Sequence, residues 1–213
     1  MIIAVASGKG GTGKTTIAAN LALVLSDTRA VQVLDCDVEA PNLGLLLHPV
    51  IHKTEQVGLL IPVVDDKRCT CCGTCSEVCQ FHALAVLGED VLVFPELCHG
   101  CGSCTLNCPE KAITEVMRSM GQVEEGFCGS IQFHRGTLNV GEAMAVPVIH
   151  ELKKEISQRD VIILDAPPGA SCPVVESLQG ADVLLLVTEP TPFGLHDLQK
   201  AVAVAGALEI PCG

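Results

Sequence analysis

Tryptophan and tyrosine are absent from this sequence, and its five phenylalanines leave aromatic residues at 2% of the chain. Because 48% of the residues are hydrophobic, the core has to be aliphatic, built mainly from Val, Leu, Ile and Ala. No apolar run approaches the ~20 residues of a membrane-spanning helix, so no membrane span is expected. The length of 213 residues allows one large domain or two small ones with a substantial core.

Basic residues are also scarce, with 13 Lys and Arg against 25 Asp and Glu and a net charge of −12. Binding to a nucleic-acid backbone needs clustered Lys and Arg that neutralise phosphates, so the composition argues against a nucleic-acid partner. The same charge balance argues against attraction to an anionic membrane surface.

The two ends of the chain give expectations about its setting. Met1 leads directly into the apolar run Ile2–Ala6 with no signal-peptide pattern, so we expect a cytoplasmic protein. In that reducing compartment the 13 cysteines are better interpreted as metal ligands than as disulfides. The last residues, 208–213, look like a loop that leads into a further strand, which suggests a C-terminal truncation.

Buried strands alternate with helices in both end portions of the chain. The strand patterns cover residues 2–6, 31–34, 57–64, 161–164 and 183–187, and the helix patterns cover residues 14–25, 136–154 and 193–208. Such alternation predicts an α/β fold with a parallel sheet flanked by helices on both faces. Between these portions, from Asp65 to about Ala112, cysteine, glycine and polar residues dominate around a short apolar hairpin at 86–94. We therefore expect a sheet domain at 1–64 and 118–213 with an inserted domain at 65–117.

The inserted segment carries one cysteine spacing twice. Both runs read CxxCxxCxxxC, offset by 29 residues, and consist of Cys69, Cys72, Cys75 and Cys79, then Cys98, Cys101, Cys104 and Cys108. This spacing resembles that of two-cluster bacterial ferredoxins, in which the fourth cysteine of each run serves the other cluster. The resemblance implies an α+β ferredoxin-like domain with two [4Fe–4S] clusters, held by Cys69, Cys72, Cys75 and Cys108 and by Cys79, Cys98, Cys101 and Cys104.

Two features qualify the ferredoxin resemblance. Zinc is the alternative metal, because CxxC pairs also bind Zn²⁺ through four thiolates. Zinc ribbons, however, rarely use a repeated run of four cysteines. Gln80 follows the first run where the ferredoxin pattern has proline, whereas Pro109 follows the second run.

A glycine-rich loop begins directly after the first strand and satisfies GxxxxGK[ST]. It comprises Gly8, Lys9, Gly10, Gly11, Thr12, Gly13, Lys14, Thr15 and Thr16. Its backbone N–H groups can surround phosphate oxygens, Lys14 can reach the terminal phosphates, and the Thr15 hydroxyl can bind Mg²⁺. Gly8, Gly10 and Gly13 also fit the weaker dinucleotide pattern GxGxxG, but that pattern needs neither Lys14 nor Thr15.

The variant KGGTGKTT, with its second lysine at Lys9, resembles the deviant Walker motif of the MinD/ParA/Mrp family of P-loop ATPases. This family, which includes the nitrogenase iron protein, is also described as CobQ/CobB/MinD/ParA nucleotide-binding domains. The resemblance implies ATP and Mg²⁺ as ligands, with the adenine base inferred from the family alone. It also implies that Lys9 crosses to the nucleotide of a second subunit, in a nucleotide-dependent homodimer.

Carboxylates follow two of the buried strands. The resemblance assigns Asp37 the role of orienting the attacking water and Asp165, in DAPPG, the role of holding Mg²⁺ through water. Asp35 lies two residues before Asp37 and could support Mg²⁺ as well. With Lys9 and Lys14, Asp37 and Asp165 form the expected catalytic set. The alternative is that these aspartates are caps or loop residues at strand ends.

Five cysteines remain outside the duplicated runs, and two of them are candidate ligands. Cys172 lies seven residues after Asp165, and the nitrogenase iron protein has an intersubunit cluster ligand at a similar offset. Cys172, with Cys128, is therefore a candidate metal or redox site at a dimer interface. The alternative is that both are structural thiols.

These motifs lead to three hypotheses about function. The first is a Mg-dependent ATPase whose nucleotide state gates electron transfer through two [4Fe–4S] clusters to a redox or metallocofactor protein. The second is an Mrp-like carrier or scaffold that delivers iron–sulfur clusters or another metal. The third is a spatial regulator of the MinD or ParA kind, although no basic patch or terminal amphipathic helix supports it.

Overall fold

The computed structural model describes residues 1–213 throughout. Nine strands and seven α-helices alternate along the chain. Their bounds are β1 Ile2–Ala6, α1 Lys14–Ser26, β2 Val31–Asp35, α2 Leu43–Leu47, β3 Val50–Val64, α3 Thr74–Glu77, β4 Leu84–Leu87, β5 Asp90–Val93, α4 Ser103–Leu106, β6 Ile113–Cys128, β7 Ile131–Leu138, α5 Val146–Lys154, β8 Val161–Asp165, α6 Cys172–Leu178, β9 Val183–Leu186 and α7 Pro192–Ala207. None of the helices is both long enough and apolar enough to cross a membrane.

The chain divides into two units. The sheet unit comprises Met1–Val57, Gly121–Val140 and Met144–Gly213, and the cysteine unit comprises Gly58–Met120 and Gly141–Ala143. The division falls within β3 and within β6, each of which contributes residues to both units. The predicted insertion at 65–117 lies inside the cysteine unit.

A seven-stranded sheet has the order β3-β6-β7-β2-β8-β1-β9. The pairs from β7 through to β9 are all parallel, and the β6–β7 pair is antiparallel. Every residue of β2 and of β8 is buried, as expected for central parallel strands that are covered on both faces. The prediction of an α/β fold with a mostly parallel sheet is confirmed. At the far edge, Cys212 begins to pair with Leu184 of β9, where a further strand was expected.

The predicted helix at 136–154 is wrong in its first half. Residues up to Leu138 belong to β7, and α5 begins only at Val146. Gly136 lies in β7, and a Cβ there would be 2.6 Å from Cγ1 of Val38, so this close approach requires glycine. Pro147 lies in the first turn of α5, where a missing N–H costs no hydrogen bond.

The core of the sheet unit is aliphatic, as the composition predicts. Its buried members include the small residues Ala18, Ala19 and Ala22 of α1, which let this helix approach the sheet closely. Phe133 of β7 is the one aromatic side chain in this cluster. The cysteine unit has a different core of seven buried residues, namely Cys75, Cys79, Ala83, Leu84, Cys98, Cys104 and Ile113.

His134 is an uncompensated polar group in the sheet unit. It lies on β7 opposite Glu125 of β6, it is fully buried, and neither ring nitrogen has a hydrogen-bond partner. Burial lowers the pKa of its imidazole from the ordinary 6.5 to about 4. The unfolded chain therefore binds a proton more readily than the folded chain, and stability conferred by neutral His134 is lost as the pH falls below 6.5.

We expect a His134→Leu variant to be less sensitive to acid than the native chain. Its advantage in free energy of unfolding should grow by about 3 kcal/mol between pH 7 and pH 4, because the folded imidazole resists protonation. Urea unfolding under anaerobic conditions at several pH values measures this difference. The exposed His196→Leu should follow the native pH profile, and a native-like profile for His134→Leu would contradict the assignment.

Candidate functional site

The glycine-rich loop connects β1 to the first turn of α1 and leaves an open face. Gly11 and Gly13 have φ of 82° and 89°, a left-handed conformation that glycine adopts without steric cost. A Cβ added at Gly10, Gly11 or Gly13 would meet nothing within 4 Å. Open space, free N–H groups and the amino end of α1 together suit an anionic phosphate chain.

The loop also lies against α7 at one point. A Cβ at Gly8 would lie 2.2 Å from the backbone oxygen of Asp197, so only glycine permits this approach. Next to this contact, Lys9 forms an ion pair with Glu189, which follows β9 and also accepts a hydrogen bond from the Thr191 hydroxyl. The lysine that resemblance assigns to a second subunit is therefore paired within its own chain.

Lys14 and Asp165 form the charged centre of the site. Lys14 is buried, and its Nζ lies 3.7 Å from Oδ1 of Asp165 at the end of β8. The Asp165 carboxylate is fully buried, and neither of its oxygens makes a hydrogen bond. Burial raises the pKa of Asp165, and the nearby Lys14 acts against that rise. The buried Thr12 hydroxyl also lacks a partner. These unpartnered oxygens fit residues that bind phosphate and a hydrated Mg²⁺.

Asp35 and Asp37 lie beside this centre on the neighbouring strand. Asp35 is the direct register partner of Asp165 across the β2–β8 pair. Its carboxylate accepts hydrogen bonds from the N–H of Leu43 at 2.9 Å and of Asp37 at 3.3 Å. Burial, followed by the charge of Asp165, raises the pKa of Asp35 to about 7. Burial also raises the pKa of Asp37, while Lys14 lowers it. Asp35 thus orients the segment after β2, and Asp37 lies within electrostatic reach of Lys14.

The eight duplicated cysteines line two pockets in the cysteine unit, four to each pocket. The first pocket is lined by Cys69, Cys72, Cys75 and Cys108, and the second pocket by Cys79, Cys98, Cys101 and Cys104. Their volumes, measured to the open mouth, are about 330 and 340 Å³. The fourth cysteine of each run therefore joins the pocket of the other run. This is the grouping that the ferredoxin resemblance implies, and what the pockets bind stays a prediction.

The sulfur atoms receive the same hydrogen bonds in both runs. The first cysteines, Cys69 and Cys98, each accept a backbone N–H from the residue two positions later, at 3.4 Å. The fourth cysteines, Cys79 and Cys108, each accept an N–H from the residue four positions later, at 3.2 and 3.3 Å. N–H donors aimed at sulfur stabilise thiolates, which are the form that binds metal.

Hydroxyl groups act on the second cysteine of each run. The Thr74 hydroxyl lies 3.5 Å from Sγ of Cys72, and the Ser103 hydroxyl lies 3.5 Å from Sγ of Cys101. In each case the hydroxyl is the main cause of a lowered thiol pKa. The two runs therefore have matching chemistry as well as matching spacing.

The thiols do not converge on a single point. No three His, Cys, Asp or Glu side chains lie closely enough together to hold a single metal ion. A lone zinc would need its thiolates at about 2.3 Å from one point, and a [4Fe–4S] cluster would need four thiolates around an inorganic core. Which of these groups the pockets bind stays a prediction.

The structure does not bring Cys128 and Cys172 together. Cys128 ends β6 at the turn into β7, on the side of the sheet where β2 and β7 begin. Cys172 begins α6 after the loop that leaves the other end of β8, and it is exposed. Their role as extra ligands stays a prediction and would need different subunits or different metals.

Sequence reasoning missed two contacts that the fold creates. Glu189 pairs with Lys9 across 180 residues, and no local pattern marks it. Phe81 and His99 stack with ring centroids 3.7 Å apart, and both line the second pocket. A comparison of the two runs could have revealed this pair, because the equivalent positions hold Glu110 and Thr70.

The phosphate loop, the strand-end carboxylates and the mostly parallel sheet define a P-loop nucleotide-binding protein. Residues 3–211 match the CobQ/CobB/MinD/ParA nucleotide binding domain, and the chain belongs to that family.

The similarity extends over nearly the whole chain in sequence relatives and in solved structures. The ATP-binding protein MJ0547 of Methanocaldococcus jannaschii is 59% identical over 207 residues, which are 97% of this chain and 59% of that protein. An iron-sulfur cluster carrier protein of Methanococcus maripaludis is 26% identical over 213 residues, 98% of this chain and 56% of that protein. MinD of Pyrococcus horikoshii, solved with Mg-ADP, is 18% identical with a TM-score of 0.55, covering 99% of this chain and 67% of MinD. The last likeness concerns the fold alone.

We expect Asp165 to carry the magnesium dependence of nucleotide binding. In the native chain, Mg-ADP should raise the unfolding temperature more than ADP alone, because the ion would satisfy the unpartnered carboxylate. Asp165→Asn should lose that increment, with Mg-nucleotide affinity about 10- to 100-fold weaker, yet keep the shift caused by ADP. Thermal unfolding with and without EDTA measures both. Asp160→Asn, just before the other end of β8, should keep the increment, and a retained increment in Asp165→Asn would refute the role.

Proposed function

We propose that this chain is a Mg-dependent ATPase in which the nucleotide state of the sheet unit is coupled to electron transfer through two [4Fe–4S] clusters in a ferredoxin-like cysteine unit. One observation carries the proposal. Eight cysteines line two matched pockets in a chain that also presents an open phosphate loop next to a buried carboxylate that makes no hydrogen bond. Neither feature alone implies coupling, but a single chain that carries both can link them.

The sheet unit supplies residues for each step of phosphate chemistry. The N–H groups of the loop and Lys14 would hold the terminal phosphates, and Thr15 with Asp165 would hold the hydrated Mg²⁺. Bound Mg²⁺ would neutralise charge that develops on the phosphate oxygens. Asp37 would orient the attacking water, since its carboxylate is half-buried near Lys14 and its own N–H is fixed by Asp35.

Lys9 would complete the site of a second copy in an ATP-bound dimer. For this, Lys9 has to leave Glu189, because one ammonium cannot serve both partners in the same geometry. Both side chains are about one-third exposed, so water screens the ion pair and its release costs little. The pair would hold Lys9 near its own loop until the phosphates of a partner displace Glu189.

The cysteine unit supplies ligands for two one-electron centres. Each pocket offers four thiols from two separated runs, which ties the halves of the unit together. When bound, each cluster would store one electron at a potential set by charge, by N–H···S hydrogen bonds and by exposure. The partner would be a redox or metallocofactor protein, since the chain itself offers no other electron acceptor.

A carrier role is the second candidate, favoured by the similarity to a protein named an iron-sulfur cluster carrier. A carrier has to release its cargo, which requires accessible ligands. Cys72 and Cys101 are exposed, but Cys75, Cys79, Cys98 and Cys104 are at most 9% exposed. The buried ligands therefore favour retained clusters over delivered ones.

We expect the metal content to follow the two cysteine sets. Native protein purified anaerobically should carry about eight iron and eight sulfide ions, and Cys75→Ala or Cys104→Ala should each halve both values. Cys71→Gly is the matched control: Cys71 has a φ of 52° in the same run and lines neither pocket, and glycine occupies its equivalent position, Gly100. It should keep all the iron. Zinc without sulfide in the native protein would end the cluster proposal.

We expect Mg-ATP to change the EPR spectrum of the reduced native protein, because phosphate binding at Lys14 would reorder the segments after Asp37 and Asp165. Lys14→Ala should keep its iron but show the same spectrum with and without Mg-ATP. An unchanged native spectrum, despite bound nucleotide, would remove the coupling. Transfer of intact clusters to an apo-acceptor, followed by its gain of activity, would then favour the carrier role.

A further inference from the structure

The 29-residue duplication provides an internal comparison between the two pockets. Their volumes are nearly equal, and their first and fourth cysteines receive matching N–H···S hydrogen bonds. Their second cysteines receive matching hydroxyl contacts. Any difference between two clusters bound here would therefore arise from the residues that do not match.

The pockets differ most at their mouths. In the second pocket, the rings of Phe81 and His99 stack with centroids 3.7 Å apart and an interplanar angle of 13°. At the equivalent positions, 29 residues away in each case, the first pocket has Glu110 and Thr70. A pair of stacked rings excludes water more completely than a carboxylate and a small hydroxyl side chain.

The exposure of the cysteine residues follows this difference. Cys79 and Cys98 of the second pocket are each 8% exposed, whereas the equivalent Cys108 and Cys69 are only partly buried. The remaining ligands match, because the second cysteines are exposed in both pockets and the third cysteines are buried in both. The difference in burial is thus confined to the first and fourth cysteines.

Fixed charge acts in the same direction as burial. One carboxylate lines each pocket, Glu110 in the first and Glu115 in the second. In addition, the Arg68 guanidinium donates a hydrogen bond to the Glu110 carbonyl at the first pocket, and its equivalent, Leu97, is uncharged. The first pocket therefore has less buried first and fourth cysteines, together with a guanidinium that the second pocket lacks.

We infer that clusters bound in the two pockets differ in reduction potential. The cluster in the first pocket is reduced first, and the cluster in the second pocket, which Phe81 and His99 shield, has the lower reduction potential. This inference rests on the proposed function, since it concerns clusters bound by the cysteines. A four-iron cluster with four thiolates is an anion, and one added electron increases its negative charge. Loss of water disfavours the more highly charged form, so the drier pocket binds the electron less well.

This difference in reduction potential would set the direction of electron flow within the cysteine unit. An electron from a low-potential one-electron donor, placed on a cluster held by Cys79, Cys98, Cys101 and Cys104, would pass to a cluster held by the other four cysteines, so that one cluster would be oxidised as the other is reduced by one electron. The transfer needs no proton and no further reactant. The first pocket then holds the electron that a partner would take up.

A redox titration with dithionite, followed by EPR on anaerobic protein, tests this order. The native protein should show two separate one-electron waves, and Cys104→Ala, which keeps only the first set, should show the upper wave alone. Phe81→Ala should shift the lower wave to less negative potential and leave the upper wave in place. Phe94→Ala is the matched control, because Phe94 is equally exposed, at 40%, and lines neither pocket.

Each outcome has a defined meaning. A single wave that accounts for both electrons overturns the inference while leaving two clusters in place. A Phe81→Ala variant in which the upper wave moves, or in which neither wave moves, does the same. Should Phe81→Ala lose its iron, His99→Thr has to shift the lower wave in the same direction, and failure there also overturns the inference. A native preparation without iron and sulfide overturns the proposed function and this inference together.

Discussion

Cysteine side chains make up most of the buried core of the cysteine unit. Four of the seven residues in its buried cluster are cysteines, the other three are Ala83, Leu84 and Ile113, and the partly buried Ile61, Val64, Val91 and Val93 pack against them. A unit of this size with so few buried apolar side chains is marginal without cross-links or a bound metal group. Ligand binding would therefore be part of its folding free energy, as in other small metal-binding domains. The swapped fourth cysteines follow from this, because each cluster would then join two distant segments.

The sheet unit depends on its ligand in a different way. Its aliphatic core is complete, and the strands that carry Asp35 and Asp165 are buried along their whole length. The remaining electrostatic cost is confined to the carboxylates of the site. The Asp165 oxygens have no hydrogen-bond partner, and burial raises the pKa of both Asp35 and Asp165. A hydrated cation relieves this electrostatic cost without changing the core. Nucleotide binding is thus expected to move loops, whereas cluster binding is expected to complete a fold.

Sequence reasoning took its site predictions from short spacings. The glycines and lysine of the phosphate loop, and the two cysteine runs, lie within segments of nine to eleven residues and can be interpreted without a fold. It failed for the β6–β7 hairpin, although the Gly129-Ser130 dipeptide between the two strands is a recognised turn signal. The helix prediction began at Gly136, but Gly136, Thr137 and Leu138 are the last residues of β7. Long-range pairs such as Lys9 with Glu189 had no sequence signal at all.

A comparison of the two runs distinguishes the features that a bound group requires in both pockets from the features that belong to one pocket alone. Features kept in both copies, including the N–H···S bonds, the hydroxyls at Thr74 and Ser103 and the left-handed backbone at Cys71 and Gly100, are those that shape four thiols into a pocket. Cys71 adopts a φ of 52° that glycine adopts freely, so the geometry is maintained there despite backbone strain. Features that differ, above all the aromatic pair at one mouth, do not shape the pocket and instead set its surroundings.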